Sequence, residues 1–401
     1  MTGSPKVTFT PMTRAVAGLG FTQIVGWGTT FLMPSVLGRH IQDDLGMPTE
    51  LVYAGITVLF AVGAFLAPRV GRRIDRTGPR LLMTAGSIVY ALSLLATALS
   101  QGPVVYLLSW AGMGVASTLA LSVPSSIAMA QIAGSRARQG ISMLTIIGGF
   151  ASTAFWPLSS ALDVWVGWRV TVMIYAAVHL LACAPIHFFL LPKEAPTLPQ
   201  GPGSGATGGG VPAEIRPQVY RLLSISLCFG AFVFTGMIVY MIEILRALGH
   251  PAASAVFLGS MVGPAQVGIR AFELLFGHRY SIMNSAIFGS VLLPLCLIGA
   301  LAGGSNFTIA FVCMLAYGMS NGLKAVQRST LPLALFGRGQ FGTYMGRLAL
   351  PQGIVSAAAP VVLATVLDHF GAAGVLWLNL VFGTISLVTM VMVARMAHFI
   401  R

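Results

Sequence analysis

The chain has 401 residues, 56% of them hydrophobic and only 8% charged, and its 23 Lys and Arg outnumber 10 Asp and Glu, for a net charge of +13. Soluble domains carry about 25% charged residues, so a soluble globular protein is excluded, while 47 glycines and 22 prolines suit closely packed membrane helices. The positive balance fits basic loops on one membrane face better than a phosphate-binding surface, so no nucleic-acid partner is expected.

A spanning helix needs about 20 apolar residues. Runs of that kind between polar breaks predict twelve transmembrane helices over residues 13–38, 50–70, 80–100, 103–132, 138–162, 168–191, 219–246, 253–277, 281–302, 305–335, 342–367 and 372–398. The first run exceeds a signal-peptide core of about 7–15 residues and lacks a small-residue cleavage site, so a retained helix is expected. After the sixth, Gly201-Pro202-Gly203-Ser204-Gly205 and Gly208-Gly209-Gly210 have the composition of a flexible linker. The expected domains are therefore a six-helix bundle over 1–191, a cytoplasmic linker over 192–218 and a second six-helix bundle over 219–401. Setting Gly112 on Gly318 aligns Trp110-Ala111-Gly112-Met113-Gly114 with Leu315-Ala316-Tyr317-Gly318-Met319-Ser320. The halves are thus read as pseudo-symmetric, an arrangement that recurs in transporters.

With the amino terminus placed inside, seventeen basic residues fall on the cytoplasmic side and only Arg39, Arg169 and Arg246 outside. The positive-inside rule then places both termini in the cytoplasm of a multi-pass protein of the cytoplasmic (inner) membrane. Between the second and third runs stands Gly71-Arg72-Arg73-Ile74-Asp75-Arg76-Thr77-Gly78-Pro79-Arg80, a charged segment that cannot lie in hydrocarbon. Its pattern, G-x-x-x-D-R-x-G-x-R, resembles the signature loop of the major facilitator superfamily of secondary transporters. That resemblance implies an all-α membrane fold of twelve helices, with the first, fourth, seventh and tenth lining a central cavity. It also implies a gating role for Gly71, Asp75, Arg76, Gly78 and Arg80, the glycines permitting a tight turn and the arginines latching neighbouring helices. The second-half counterpart, Gly277-His278-Arg279, is degenerate.

Charges inside the runs carry the functional expectations, because an ionisable group near the bilayer centre costs at least about 2.5–3.5 kcal/mol. Asn321, Lys324 and Arg328 recur at i, i+3 and i+7, one face of the tenth helix. Lys324 is read as a cavity residue, and Arg328 as either a cavity residue or a cation snorkelling to the interface. In the eighth helix Gln266, Arg270 and Glu273 can share adjacent turns. The stretch Gln266–Arg270 resembles the D-x-x-x-R element of monocarboxylate transporters, in which the arginine holds the substrate carboxylate; Gln266 replaces the proton-handling aspartate. Arg270 is accordingly a candidate anion ligand, or half of a bracing pair with Glu273. Gln23, Trp27 and Thr30, with Pro34, share a face of the first helix, where Gly26 and Gly28 permit close packing or a local opening. Tyr240 completes the substrate-binding candidates. Glu243 and Glu273 are proton-coupling candidates, Glu243 being alternatively a local partner of Arg246. His179 and His187 in the sixth helix are read as satisfied core residues.

Cations outnumbering acids along the path point to a small anionic substrate, with lipid as surroundings and protons as the candidate coupling ion. The expected function is secondary transport of a small organic anion, in particular a monocarboxylate, by a monomer. The alternatives are export of neutral or cationic drug-like compounds, or a non-transporting sensor on the same fold. The fifth helix, Gly148 to Pro157, lacks the G-x-x-x-G-P-x-x-G-G element of drug–proton antiporters. With no G-x-x-x-x-G-K-S/T loop and no nucleophile–base group, neither ATP-driven transport nor an enzyme is expected. Cys183, Cys228, Cys296 and Cys313 have no paired spacing, so no metal, cofactor or disulfide frame is expected.

Overall fold

The computed structural model describes residues 11–193, 211–338 and 340–397. The described residues are helical almost throughout, and the helices fall into two compact units. Unit 1 holds α1 (Pro11–Thr29), α2 (Met33–Leu45), α3 (Thr49–Thr77), α4 (Arg80–Ala98), α5 (Pro103–Ala120), α6 (Ser122–Ala133), α7 (Ala137–Gly149), α8 (Ala151–Val178) and α9 (Ala184–Leu190). Unit 2 holds α10 (Arg216–Ala247), α11 (Ala252–Ser260), α12 (Val262–Phe276), α13 (Ile282–Gly303), α14 (Phe307–Phe336) and α15 (Phe341–Met396).

Among the described residues nine helical runs are long and apolar enough to cross a membrane. The longest, Pro103–Leu190, has 88 residues, which at 1.5 Å per residue would extend about 130 Å against a hydrocarbon core of about 30 Å. It must fold back, and it does so at breaks. Leu121 is non-helical, Gly134–Arg136 forms a 3-10 turn, and Gly167 takes φ 77°, a left-handed value that favours glycine. Gly371, at φ 65°, divides the 56-residue α15 in the same way. All of these but Leu121 lie at or near the gaps expected from the sequence at 133–137, 163–167 and 368–371. Apolar side chains such as Leu92, Leu181, Phe189, Leu295 and Val312 point outward, whereas Gln23, Ser87, Arg270, Asn321 and Asn379 are buried. That inverted arrangement is expected of a protein whose solvent is lipid.

Several expected boundaries move. The first spanning segment continues to Leu45, interrupted at 30–32. The eighth is interrupted at Met261. The segment read as a loop over Gly71–Arg80 is mostly helix: α3 runs to Thr77, and only Gly78, at φ 79°, and Pro79 turn the chain before α4. Charge had ended the expected helix too early, although charged side chains at a helix end reach water without breaking the helix. Only Gly78 therefore serves the turn. Of the expected linker, residues 194–210 lie outside the described residues. Its far end is not linker, because the Val211 N–H donates to Leu335 O at 2.8 Å and α10 begins at Arg216.

The two units share a packing device. A Cβ added to Gly114 on α5 would lie 2.7 Å from the Leu59 carbonyl and 2.9 Å from Val62 Cβ on α3. A Cβ added to Gly318 on α14 would lie 2.7 Å from the Val262 carbonyl and 2.7 Å from Ala265 Cβ, the same two positions on α12. The glycines let paired backbones touch, as in small-residue packing of membrane helices. Gly318 therefore corresponds to Gly114, two residues from the Gly112 pairing read from the sequence. One turn on, Thr118 donates to Gly63 O at 3.2 Å in unit 1; in unit 2 Gly322 presses against Gln266 O. Fully buried Tyr90, Tyr106 and Trp110 anchor the core of unit 1, and Tyr317 with Leu293, Leu297 and Leu363 that of unit 2.

Candidate functional site

In unit 2 the sequence-predicted residues separate into two groups. Arg270 is buried on α12; its Nε donates to Gly322 O at 3.3 Å and its Nη2 to Gln266 Oε1 at 3.2 Å. The close α12–α14 approach at Gly318 and Gly322 brings that carbonyl within reach. One turn below, buried Glu273 accepts from Ser285 Oγ on α13 at 2.9 Å. Gln327 of α14 donates to Ser285 O at 2.9 Å and to Ser285 Oγ at 3.3 Å, while its own Oε1 is buried without a partner.

Lys324 leaves α14 two residues beyond Gly322, about 200° around the helix, and so faces α10 and α15. Its Nζ donates to Ser386 Oγ at 2.9 Å and lies 2.9 Å from where a Cβ on Gly230 would stand. Ser226 and Ser386 exchange hydrogen bonds, Oγ to carbonyl, at 2.7 and 2.8 Å, fixing α10 to α15 beneath the ammonium. Among the described residues no carboxylate pairs with Lys324. Arg270 bonds on the α12 side of α14 and Lys324 on the α10/α15 side. Asn321 is buried on the Lys324 face of α14, and Arg328 on that face is exposed. Tyr240 is half-buried and Glu243 exposed on α10.

In unit 1 Gln23 is buried with both ends of its amide engaged: Nε2 donates to Ser125 Oγ at 2.8 Å, and Oε1 accepts from Ser122 Oγ at 3.1 Å. Thr30 donates to Gly26 O at 2.5 Å where α1 ends. Gly26 admits the Leu121 side chain at the α5/α6 break, and Gly28 admits the Phe155 ring. Both readings of these glycines hold, since the helix packs closely at them and opens just after. Trp27 is half-buried, edge-on to Phe31 at 5.8 Å.

Of the five signature-segment residues, Gly71, Asp75 and Arg76 lie on the last turns of α3, Gly71 being buried and Arg76 exposed. Arg80 opens α4, donates from Nε to Leu191 O at 2.7 Å, and covers the Phe188 ring at 5.8 Å. It therefore ties α4 to the end of α9. His187 and His179 are buried between α1 and α4.

Sequence reasoning missed Ser226, Ser285, Gln327 and Ser386. Single serines in apolar helices carry no periodic signal, and Ser226 and Ser386 lie 160 residues apart. Gln327 was legible as a mid-helix polar residue, but it falls outside the i, i+3, i+7 face.

A buried arginine and a half-buried lysine on broken, lipid-facing helices, in two units that repeat one packing device, mark a polytopic membrane protein. The sequence model of the Major Facilitator Superfamily matches residues 19–326, and the chain belongs to that family. Among solved structures it is similar to the human organic anion transporter MFSD10 (TETRAN), with 19% identity over 94% of this chain and 98% of that one, at a TM-score of 0.73. It is likewise similar to the transporter FucP in its outward conformation, with 13% identity over 94% and 98% of the two chains, also at a TM-score of 0.73. At these identities the structural likeness bears on fold alone.

Proposed function

We propose that this chain is a secondary active transporter that moves a small organic anion, a monocarboxylate in the simplest case, across the cytoplasmic membrane. It works by alternating access, with a coupled proton or by exchange. The observation that carries the reading is Lys324, an ammonium half-buried in a helix interior with one serine hydroxyl as its hydrogen-bond partner and no carboxylate beside it. A cation there without a counter-ion is costly, and an anionic substrate supplies the missing charge during the cycle. Arg270, on the other side of α14, offers a planar donor set of the kind suited to a carboxylate. The organic-anion assignment of the human structural neighbour agrees in kind. Glu273 is buried three residues from Arg270, and Glu243 is exposed, so Glu273 is the stronger proton-coupling candidate of the two.

The test is exchange of radiolabelled acetate, lactate and benzoate in proteoliposomes, with a neutral sugar and a quaternary amine as comparators. Flux of at least one carboxylate, reduced about 10-fold or more in Lys324→Met by loss of a charge-assisted hydrogen bond of about 1.5–3 kcal/mol, supports the reading. Flux of only the sugar or the amine refutes it.

A further inference from the structure

The buried polar groups that the anion site leaves unused concentrate around two histidines of unit 1. His187 lies on α9, and His179 opens the π-helical turn His179–Cys183 just before it. Both are buried, and π-helical insertions recur at functional sites. Counting hydrogens assigns each ring one tautomer, given the carbonyl bonds of the two threonines. Thr22 donates its only hydroxyl proton to Leu19 O at 3.0 Å, so its 3.2 Å contact with His187 requires Nε2 to be the donor. Thr29 donates to Val25 O at 2.9 Å, so its 2.9 Å contact with His179 likewise makes Nε2 the donor. The basic lone pair of each ring is then Nδ1.

The two Nδ1 atoms meet different surroundings. That of His179 is buried with no partner, and its ring stacks on Tyr90 at 4.6 Å. A proton placed there would find no acceptor. That of His187 faces Ser87 Oγ at 2.8 Å and the Met83 carbonyl at 3.2 Å. In the neutral ring Ser87 donates to Nδ1, and the carbonyl faces a lone pair. When Nδ1 gains a proton, the new N–H has the Met83 carbonyl and the Ser87 oxygen both waiting as acceptors. The pocket is thus one hydrogen short when neutral and satisfied when charged.

α9 packs against α4, α1 and the π-helical turn. The titratable side chains those elements carry are Arg80 and Tyr90 on α4, Arg14 on α1, and His179 with Cys183 in the turn. They include no carboxylate, so His187 takes up its proton without exchanging it with a neighbouring acid. Its state reaches Gln23 through α1. Thr22, its partner, is followed by Gln23, whose amide ties α1 to Ser122 and Ser125 of α6.

We infer that His187 is a proton-binding site of this transporter, taking the coupling proton on Nδ1 between the Met83 carbonyl and Ser87, and passing its state along α1 to Gln23. The inference rests on the transporter reading above. The experiment compares wild type with His187→Gln in proteoliposomes, by exchange of acetate, lactate and benzoate without a gradient and by their accumulation under an inward proton gradient. The expected result is exchange within about two-fold of wild type, with gradient-driven accumulation lost. Accumulation retained in His187→Gln, or a wild type that exchanges without responding to the gradient, overturns the inference alone. A wild type that moves none of the three anions overturns the transport reading first. Should the variant not fold, nitrogen NMR of histidine-labelled wild type decides. Nδ1 of His187 must change state between about pH 8 and about pH 5, and a ring neutral throughout refutes the proposal.

Discussion

Replacing Lys324 by Met should make the empty protein more stable and the loaded protein less so. The ammonium sits in a helix interior, where a lysine costs about 2.5–3.5 kcal/mol, offset by its charged hydrogen bond to Ser386, worth about 1.5–3 kcal/mol. Met fills nearly the same volume against Gly230 and carries neither contribution. The difference predicts a ligand-free stabilisation of about 0–2 kcal/mol, or a rise of up to about 8 °C in Tm for a unit of this size. Binding moves the other way. Wild type at 100 times Kd gains about 2.7 kcal/mol from its ligand, a further rise of about 5–11 °C. In Lys324→Met, a 10-fold to 100-fold weaker Kd, from losing a bond of about 1.5–3 kcal/mol, should cut that gain to about 0.4–1.4 kcal/mol. The assay is thermal unfolding in detergent with and without lactate or benzoate. A variant that melts lower than wild type when empty, yet keeps the full ligand shift, would show Lys324 to be a brace between α10 and α15 and refute the reasoning.

Gly318→Val and Gly114→Val should each destabilise by at least about 1–3 kcal/mol, because the new side chain meets backbone at 2.7 Å in both places; loss of folded protein on size exclusion at a temperature the wild type survives measures it. Arg270→Lys should fold like wild type but lose carboxylate exchange about 10-fold or more, since an ammonium cannot reproduce the fork of donors; unchanged exchange would place Arg270 in packing. Arg80→Ala should lower Tm by about 1–6 °C, for a bond to Leu191 O worth about 0.5–1.5 kcal/mol.

The fold was legible because lipid imposes a single rule, apolar runs of fixed length between polar breaks. That rule located Gly167 and Gly371 as turns without any knowledge of packing. It failed at the end of α3, where Arg72, Arg73 and Arg76 read as loop yet extend the helix toward water. It failed again inside the first and fourth segments, whose breaks at 30–32 and Leu121 lack a helix-breaking residue of their own. Those breaks follow from tertiary contact, the Leu121 side chain filling the space over Gly26. The site was legible only as types of residue. Arg270 and Lys324 stood out by charge, but helical phase alone could not show that Gly322 and Lys324 point to different neighbours.

The internal repeat separates what the fold requires from what it carries. Pairing Gly114 with Gly318 sets Ala120 opposite Lys324 and Ser117 opposite Asn321. Pairing Leu59 with Val262 sets Ala67 opposite Arg270, Val70 opposite Glu273 and Gly63 opposite Gln266. Unit 1 therefore builds the same close helix pair with alanine and valine where unit 2 spends charge. The Gly114 and Gly318 contacts are retained, whereas Gly322 has Thr118 as its counterpart, so the close helix pair forms in unit 1 without the cations. A buried charge that the scaffold can replace by alanine is not kept for stability, since its desolvation only weakens the fold. On the proposed reading Arg270, Glu273 and Lys324 serve the cargo from unit 2, while unit 1 contributes the neutral amide of Gln23 and the histidines behind it.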